Sequence, residues 1–147
     1  GAQSMGVYIT ASAVYPGLQV AGGTKSAVVS TSDGARALYC EEATEVWFTD
    51  YGFGKINGQS VMIPFESKFT QTVNLDEPYH VFLQTYGDAE LYVSKRTPSG
   101  FEVKVRGGEI VSTEFSYRIV AKRKGFEAIR LERAPWADDD KNIQLKK

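Results

Sequence analysis

Along the first forty residues the apolar positions come in short clusters ten or eleven residues apart: Gly6-Val7-Tyr8-Ile9, Gly17-Leu18-Gln19-Val20, Ala27-Val28-Val29 and Ala37-Leu38-Tyr39-Cys40. Between them lie small, polar, turn-forming stretches such as Ala21-Gly22-Gly23-Thr24 and Ser30-Thr31-Ser32-Asp33-Gly34. Each cluster predicts a strand of three or four residues that offers only one or two apolar side chains. Four such strands make a ribbon too thin to exclude water. Repeats of this kind are stable when stacked and covered, so residues 6–40 are expected to wind with the same ribbon from sister chains. Val7, Ile9, Leu18, Val20, Val28 and Leu38 are the side chains expected at that trimer interface.

Beyond the repeats the pattern changes. Residues 44–51, rich in aromatic and β-branched side chains, predict a strand with aromatics on both faces. Such a strand is central to a sandwich or has its second face covered by another chain, which adds Trp47 to the expected interface. Gly52-Phe53-Gly54-Lys55 reads as a bend, and Asn57-Gly58 as a hairpin turn leading into a return strand over residues 60–63, stopped by Pro64. Phe65, Phe69 and Val73 recur at i, i+4 and i+8, which predicts one helix over residues 65–74 with its apolar stripe against an open end of the sheet.

From Tyr79 onward the period is two. Residues 79–86 and 90–95 predict strands, Thr97-Pro98-Ser99-Gly100 a turn, and Phe101, Val103 and Val105 an inward face alternating with outward charges. After Gly107-Gly108, residues 114–122 predict a long strand. Phe115, Tyr117, Ile119 and Ala121 lie inward there, and Glu114, Ser116, Arg118 and Lys122 face water. Residues 126–133 read as a last strand, and residues 134–147 as an exposed tail.

The fold class expected is therefore mainly β: short repeated strands, in an intertwined trimeric β-helix or β-prism, followed by an antiparallel sandwich or barrel with one short helix. The domain limits read as residues 1–5, a vector remnant left out of fold reasoning, then 6–40, 41–133 and 134–147. With 42% hydrophobic and 24% charged positions in 147 residues, the chain has the make-up of one folded domain with an appendage. No apolar run approaches the roughly 20 residues of a membrane-spanning helix, so membrane insertion is not expected.

A net charge of −1 argues against nucleic acid as a partner. The charge is segregated, at −7 over residues 41–90 and +5 over residues 91–147. Neighbouring copies or faces can use such a split, although exposed pairs contribute little. Cys40 is the single cysteine, which removes any intrachain disulfide framework and any cysteine-based zinc site.

The order of the pieces carries a resemblance. The run Leu38-Tyr39-Cys40-Glu41-Glu42-Ala43-Thr44-Glu45-Val46-Trp47-Phe48-Thr49-Asp50-Tyr51-Gly52 is followed by Asn57-Gly58, Phe69, Tyr79-His80-Val81-Phe82-Leu83, Gly87-Asp88 and Leu91-Tyr92-Val93. It closes with Thr97-Pro98-Ser99-Gly100-Phe101-Glu102-Val103 and Phe115-Ser116-Tyr117-Arg118-Ile119-Val120-Ala121-Lys122-Arg123. Residues 6–133 thus resemble the carboxy-terminal region of large, mostly uncharacterised bacterial proteins organised like phage tail fibres, where glycine-rich repeats precede a β-domain. The resemblance implies a trimeric, fibrous protein of an extracellular, virion or cell-surface appendage.

Chemistry is sparse. Glu41, Glu42, Glu45 and Asp50 would supply carboxylates to a glycosidase, but Glu45 and Asp50 project to opposite faces of one strand, and solvated or interchain-paired acids are the simpler reading. His80 is the only histidine and has no serine or cysteine partner, so neither a triad nor a three-histidine zinc site forms within one chain. Three copies around an axis would offer three imidazoles, though a hydrogen-bonded sheet histidine is the plainer account. Catalytic residues, metal and cofactor are accordingly expected to be none. Gly52-Phe53-Gly54 lacks the remaining residues of a phosphate loop. The basic group Arg118, Lys122, Arg123 and Lys124 reads as a strand end facing acidic residues of a neighbour. Among the aromatics Trp47, Tyr51, Phe53, Tyr79, Tyr86, Tyr92 and Trp136, the turn-associated Tyr51, Phe53 and Tyr86 are the ones expected to be exposed and to stack on a cell-surface glycan.

The function expected is a non-enzymatic homotrimeric structural module, the tip or trimerisation domain of a fibre-like protein. The alternative is a glycan- or receptor-binding tip, and behind it a polysaccharide-degrading enzyme.

Overall fold

The computed structural model describes Ile9, Gly17, Leu18, Val20 and residues 24–133. Val7, Trp136 and the expected tail lie outside the described residues. The chain divides into two compact units, one formed by Ala43–Glu132 and the other containing the end of the repeat segment. Its described strands are antiparallel, and the chain is mainly β.

In the first unit, β1 (Ser26–Thr31) and β2 (Gly34–Tyr39) form a two-stranded hairpin, in register from Ser26 opposite Tyr39 to Thr31 opposite Gly34. The loop is held by its own polar side chains. Thr31 Oγ1 lies 2.7 Å from Asp33 Oδ1 and 2.6 Å from the Gly34 carbonyl, and Arg36 pairs with Asp33. Gly34 supplies a positive φ of 116°. At the open end the Cys40 amide donates to the Lys25 carbonyl, and Lys25 pairs with Glu42 at 3.0 Å. Every residue of both strands is exposed.

The second unit holds two three-stranded antiparallel sheets around one core, consistent with a β-sandwich. One sheet has the order β3 (Trp47–Gly58), β8 (Val111–Lys122), β5 (His80–Tyr86); the other has β4 (Ser60–Pro64), β7 (Gly100–Val105), β6 (Leu91–Thr97). Only the β6–β7 connection stays within a sheet, and every other connection crosses between them. Because side chains alternate, each strand gives one row to the space between the sheets. Ile56, Phe115, Ile119 and Ala121 fill it from one sheet, and Phe101, Val103 and Val105 from the other. The inward rows of residues 101–105 and 115–121 are those expected from the alternation.

Tyr79 closes one end of the core. Its hydroxyl accepts from the Thr97 amide at 3.1 Å and donates toward the Thr97 and Gly100 carbonyls at 3.0 and 3.1 Å. Arg96 reaches over the ring and donates to the Tyr79 carbonyl. Gly100 is fixed by contact, since a Cβ there would lie 2.3 Å from the Ile63 carbonyl oxygen of β4.

Four local expectations are corrected. The Gly52–Lys55 stretch is no bend; β3 runs straight through it, because the inward-facing Gly52 and Gly54 leave room for the Tyr117 and Phe115 rings directly opposite. Asn57-Gly58 does not close a paired hairpin: β3 pairs with β8 and β4 with β7, so the chain turns a corner between sheets at Gly58, whose φ is 137°. The helix α1 spans Ser67–Thr72 instead of residues 65–74. Glu66 caps it, accepting from the Lys68 and Phe69 amides at 2.8 and 3.0 Å, and Val73 is extended and fully buried in an isolated bridge to Arg123. Phe65 and Phe69 nevertheless pack against the core as the spacing implied.

The fourth correction concerns residues 126–133, which form turns and bends instead of a strand, joined to the sheet by one bridge between Glu45 and Arg130. That segment is pinned by polar contacts. The Leu131 amide donates to the Thr44 carbonyl at 2.8 Å, Asn74 donates to Glu127 at 3.1 Å, and Lys122 Nζ donates to the Glu127 carbonyl at 3.0 Å.

Candidate functional site: an aromatic trough on the outer face of one sheet

The face of the β3–β8–β5 sheet turned away from the core is built by the same alternation that fills the core. Along β3 it carries Thr49, Tyr51, Phe53 and Lys55; along β8, Val120, Arg118, Ser116 and Glu114; along β5, His80, Phe82, Gln84 and Tyr86. Register sets the rows. Tyr51, Arg118 and Phe82 stand abreast, then Phe53, Ser116 and Gln84, then Lys55, Glu114 and Tyr86.

The outer strands therefore raise aromatic walls on either side of a polar middle strand. Neighbouring strands lie about 4.8 Å apart, so the walls stand about 10 Å from each other. Phe53 is 82% exposed and Tyr51 66%; Phe82 and Tyr86 are exposed as well. The trough has a volume of about 500 Å³, within the range of about 300–1,000 Å³ common to small-ligand clefts. On its floor the Arg118 guanidinium lies 5.7 Å from the centre of the Tyr51 ring, a cation–π contact. Tyr86 leans inward to donate its hydroxyl proton to Ser116 Oγ at 2.9 Å, and Lys55 stands 4.0 Å from Glu114 at the same end.

The three aromatics singled out in the sequence, Tyr51, Phe53 and Tyr86, thus share one face. Phe82, Gln84, Ser116 and Arg118 complete it and were not singled out together. Ser116 and Arg118 already belonged to the water-facing row of residues 114–122, and Phe82 alternates with Tyr86. What the sequence lacked was the pairing that puts β8 between β3 and β5.

Other candidates resolve into structural roles. His80 sits on the same face beyond the trough, 5.6 Å from the Trp47 ring and 6.1 Å from Phe82 by ring centres. Trp47 is half-buried, with Lys122 Nζ 5.9 Å from its ring. Glu45 is held between Lys122 at 3.5 Å and Arg130 at 3.6 Å. The basic group disperses: Arg118 to the trough, Lys122 to Glu45 and Glu77, Arg123 onto the Phe126 ring at 4.1 Å, and Lys124 to the Thr70 carbonyl at 2.9 Å. Among the described residues no three His, Cys, Asp or Glu side chains gather as a metal site, and no helix is long and apolar enough to cross a membrane. Of the remaining expected interface residues, Ile9, Leu18, Val20, Val28 and Leu38 are exposed.

Two tyrosines facing inward have phenols pushed above their ordinary value. Burial is the main cause for both. At Tyr79 the Thr97 backbone contact and Arg96 act in the opposite direction, whereas at Tyr117 the Asp50 carboxylate adds to the rise.

Compared with protein-family models, curated proteins and solved structures, the chain matches none.

Proposed function

We propose that this chain is a non-enzymatic structural module that works as a homotrimer, closing or nucleating a fibre-like virion or cell-surface appendage. The observation that supports this reading is the β1–β2 hairpin. A lone two-stranded hairpin is marginal in water, and here Val28 is 72% and Leu38 59% exposed. Copies of the same ribbon, wound in a β-helix or β-prism, supply the missing cover. Light scattering on the full chain is expected to give three times the chain mass, and Val28→Asp with Leu38→Asp to reduce it to one chain. A monomer at all concentrations overturns the reading.

A second reading is favoured by the aromatic trough: the same module is a tip that binds a glycan. Pyranose rings present apolar C–H faces that stack on exposed aromatic rings, and hydroxyl rims that hydrogen-bond polar neighbours. Walls of Tyr51, Phe53, Phe82 and Tyr86 around Gln84, Ser116 and Arg118 offer both. Glycan-array binding that disappears with Tyr51→Ala while the oligomer persists supports it, and an array without signal removes it.

A further inference from the structure

We propose that the open edge of β3 is an interface between two copies of this chain, in which two β3 strands pair antiparallel about a two-fold axis at Gly52 and join two β3–β8–β5 sheets into one continuous sheet. This goes beyond the readings above, since it uses neither the repeat ribbon nor a ligand in the trough.

A free edge presents a row of unpaired N–H and C=O groups, and folded proteins blunt it with short strands, proline, bulges or charge. Three edges of the sandwich carry such devices. β4 is five residues long and ends at Pro64. β6 is irregular between Val93 and Lys95 and bears Lys95 and Arg96. At β5 the Thr85 carbonyl is taken by Gln84 Nε2 at 3.0 Å, and the Tyr79 carbonyl just before the strand is taken by Arg96. β3 differs from all three. It runs for twelve residues without a proline or a register shift, and among the described residues no strand pairs with its outer side. Its one cation, Lys55, is turned to Glu114.

The groups on that edge follow from the ladder. Val46, one step beyond the paired register, accepts from the Arg123 amide opposite it, so the even-numbered residues of β3 turn their backbone groups to β8 and the odd-numbered ones turn theirs outward. The Tyr51 amide agrees, because it donates to the Asp50 carboxylate at 2.9 Å instead of to β8. Thr49, Tyr51, Phe53 and Lys55 therefore offer a ladder of donors and acceptors at the same positions whose side chains form the outer face.

The side chains select a second copy as the occupant. With the axis at Gly52, Tyr51 stands opposite Phe53 of the second copy and Thr49 opposite its Lys55, each twice by symmetry. On the inward row Phe48 meets Ile56, and Asp50 meets Gly54, which has no side chain to oppose the carboxylate as it gives up the Tyr51 amide. Rings that are 66% and 82% exposed in the single copy become cross-strand aromatic pairs, a stabilising unit of sheet pairing. An axis at Phe53 would set the Asp50 carboxylate against Ile56, and an axis at Tyr51 would set Phe53 against Thr49. The edge is complementary to itself in one register.

A single strand ladder is a small contact, so the association is weak and depends on concentration. Light scattering on the full chain should show the dilute mass doubling as concentration rises. The same doubling is expected in Val28→Asp with Leu38→Asp, so failure of the trimer reading and failure of this one are distinguishable. In the doubled form the amides of Thr49, Phe53 and Lys55 should exchange more slowly, while those of Asp50, Gly52 and Gly54, already turned to β8, stay unchanged. Phe53→Pro removes an outward N–H and no bond to β8, and should abolish the doubling. Thr49→Lys, opposite Lys55, should weaken it about fivefold, and Thr49→Glu should strengthen it. No doubling at any concentration overturns the proposal, as does doubling that persists in Phe53→Pro. Should that variant not fold, exchange in the parent decides: odd-numbered amides that stay equally fast at every concentration overturn the pairing. Odd-numbered amides that are slow at every concentration in both the parent and the Val28→Asp, Leu38→Asp chain would place another segment of the same chain on the edge, and overturn it as well. Thr49→Lys and Thr49→Glu acting alike overturns the axis at Gly52.

Discussion

Gly54 and Phe115 face each other across the β3–β8 ladder so closely that a methyl group on Gly54 would lie 2.4 Å from the tip of the Phe115 ring. Gly52 and Tyr117 repeat the relation one row further, at 2.2 Å from the hydroxyl. The glycines are the space into which the aromatic rings of β8 fit. Gly54→Ala is therefore expected to lower stability by about 1–3 kcal/mol, the usual cost of overpacking, despite the chain entropy that Gly→Ala ordinarily saves. Urea denaturation measures it. Combining Gly54→Ala with Phe115→Leu, which shortens the ring, should cost less than the two single changes added together.

An outward-facing ring of one sheet and a core ring of the other should respond very differently to truncation. Phe53 on the outer face is 82% exposed, whereas Phe101 in the core is fully buried. Phe53→Ala is expected within about 0.5 kcal/mol of the parent. Phe101→Ala should cost about 3–5 kcal/mol through lost burial and the cavity it leaves. Equal losses by thermal melting would contradict the assignment of inside and outside.

Alkaline pH should loosen the core. Tyr79 and Tyr117 have folded-state phenols raised above their ordinary value of about 10 by burial. The unfolded chain then releases those protons first. The stability tied to the neutral phenols is intact below pH about 10 and falls as pH climbs toward the raised folded values. Denaturant midpoints measured between pH 8 and 11 should decline, and Tyr117→Phe should flatten the decline. A parent and variant with the same slope would exclude Tyr117 as a contributor.

The segment after β8 should come loose when its clamp is cut. Glu45 is the carboxylate shared by Lys122 and Arg130, and its side chain is only 14% exposed. Glu45→Gln is expected to raise the hydrogen-exchange rate of the Leu131 amide, which is bonded to the Thr44 carbonyl, while the amides of Phe115 and Ile119 stay protected. Unchanged exchange at Leu131 would show that backbone contacts alone hold the segment.

The alternation of Phe101, Val103 and Val105 with Glu102 and Lys104, and of Phe115 through Ala121 with polar neighbours, determined which side of those strands is core. A period of two has only one physical solution when one face is wet. The last two repeats, around Val28 and Leu38, read as strands with too few apolar side chains to bury, and the hairpin as folded leaves both strands exposed. Phe65 and Phe69 were legible as a core-facing pair at helical spacing; the helix length was not, because Glu66 serves as the cap and Val73 is drawn into an extended bridge with Arg123 far along the chain.

Pairing belonged to the tertiary structure. Gly52 and Gly54 read as a bend because glycine usually marks one, and only the rings of Tyr117 and Phe115, more than sixty positions away, turn them into strand. The trough has the same origin: Tyr51, Phe82 and Arg118 come from three separate strands, and no local pattern encodes which strand lies between the other two. Burial periodicity is a short-range property and is written in the sequence. Strand order and register are long-range, decided by which rings fit over which gaps once the sheets close.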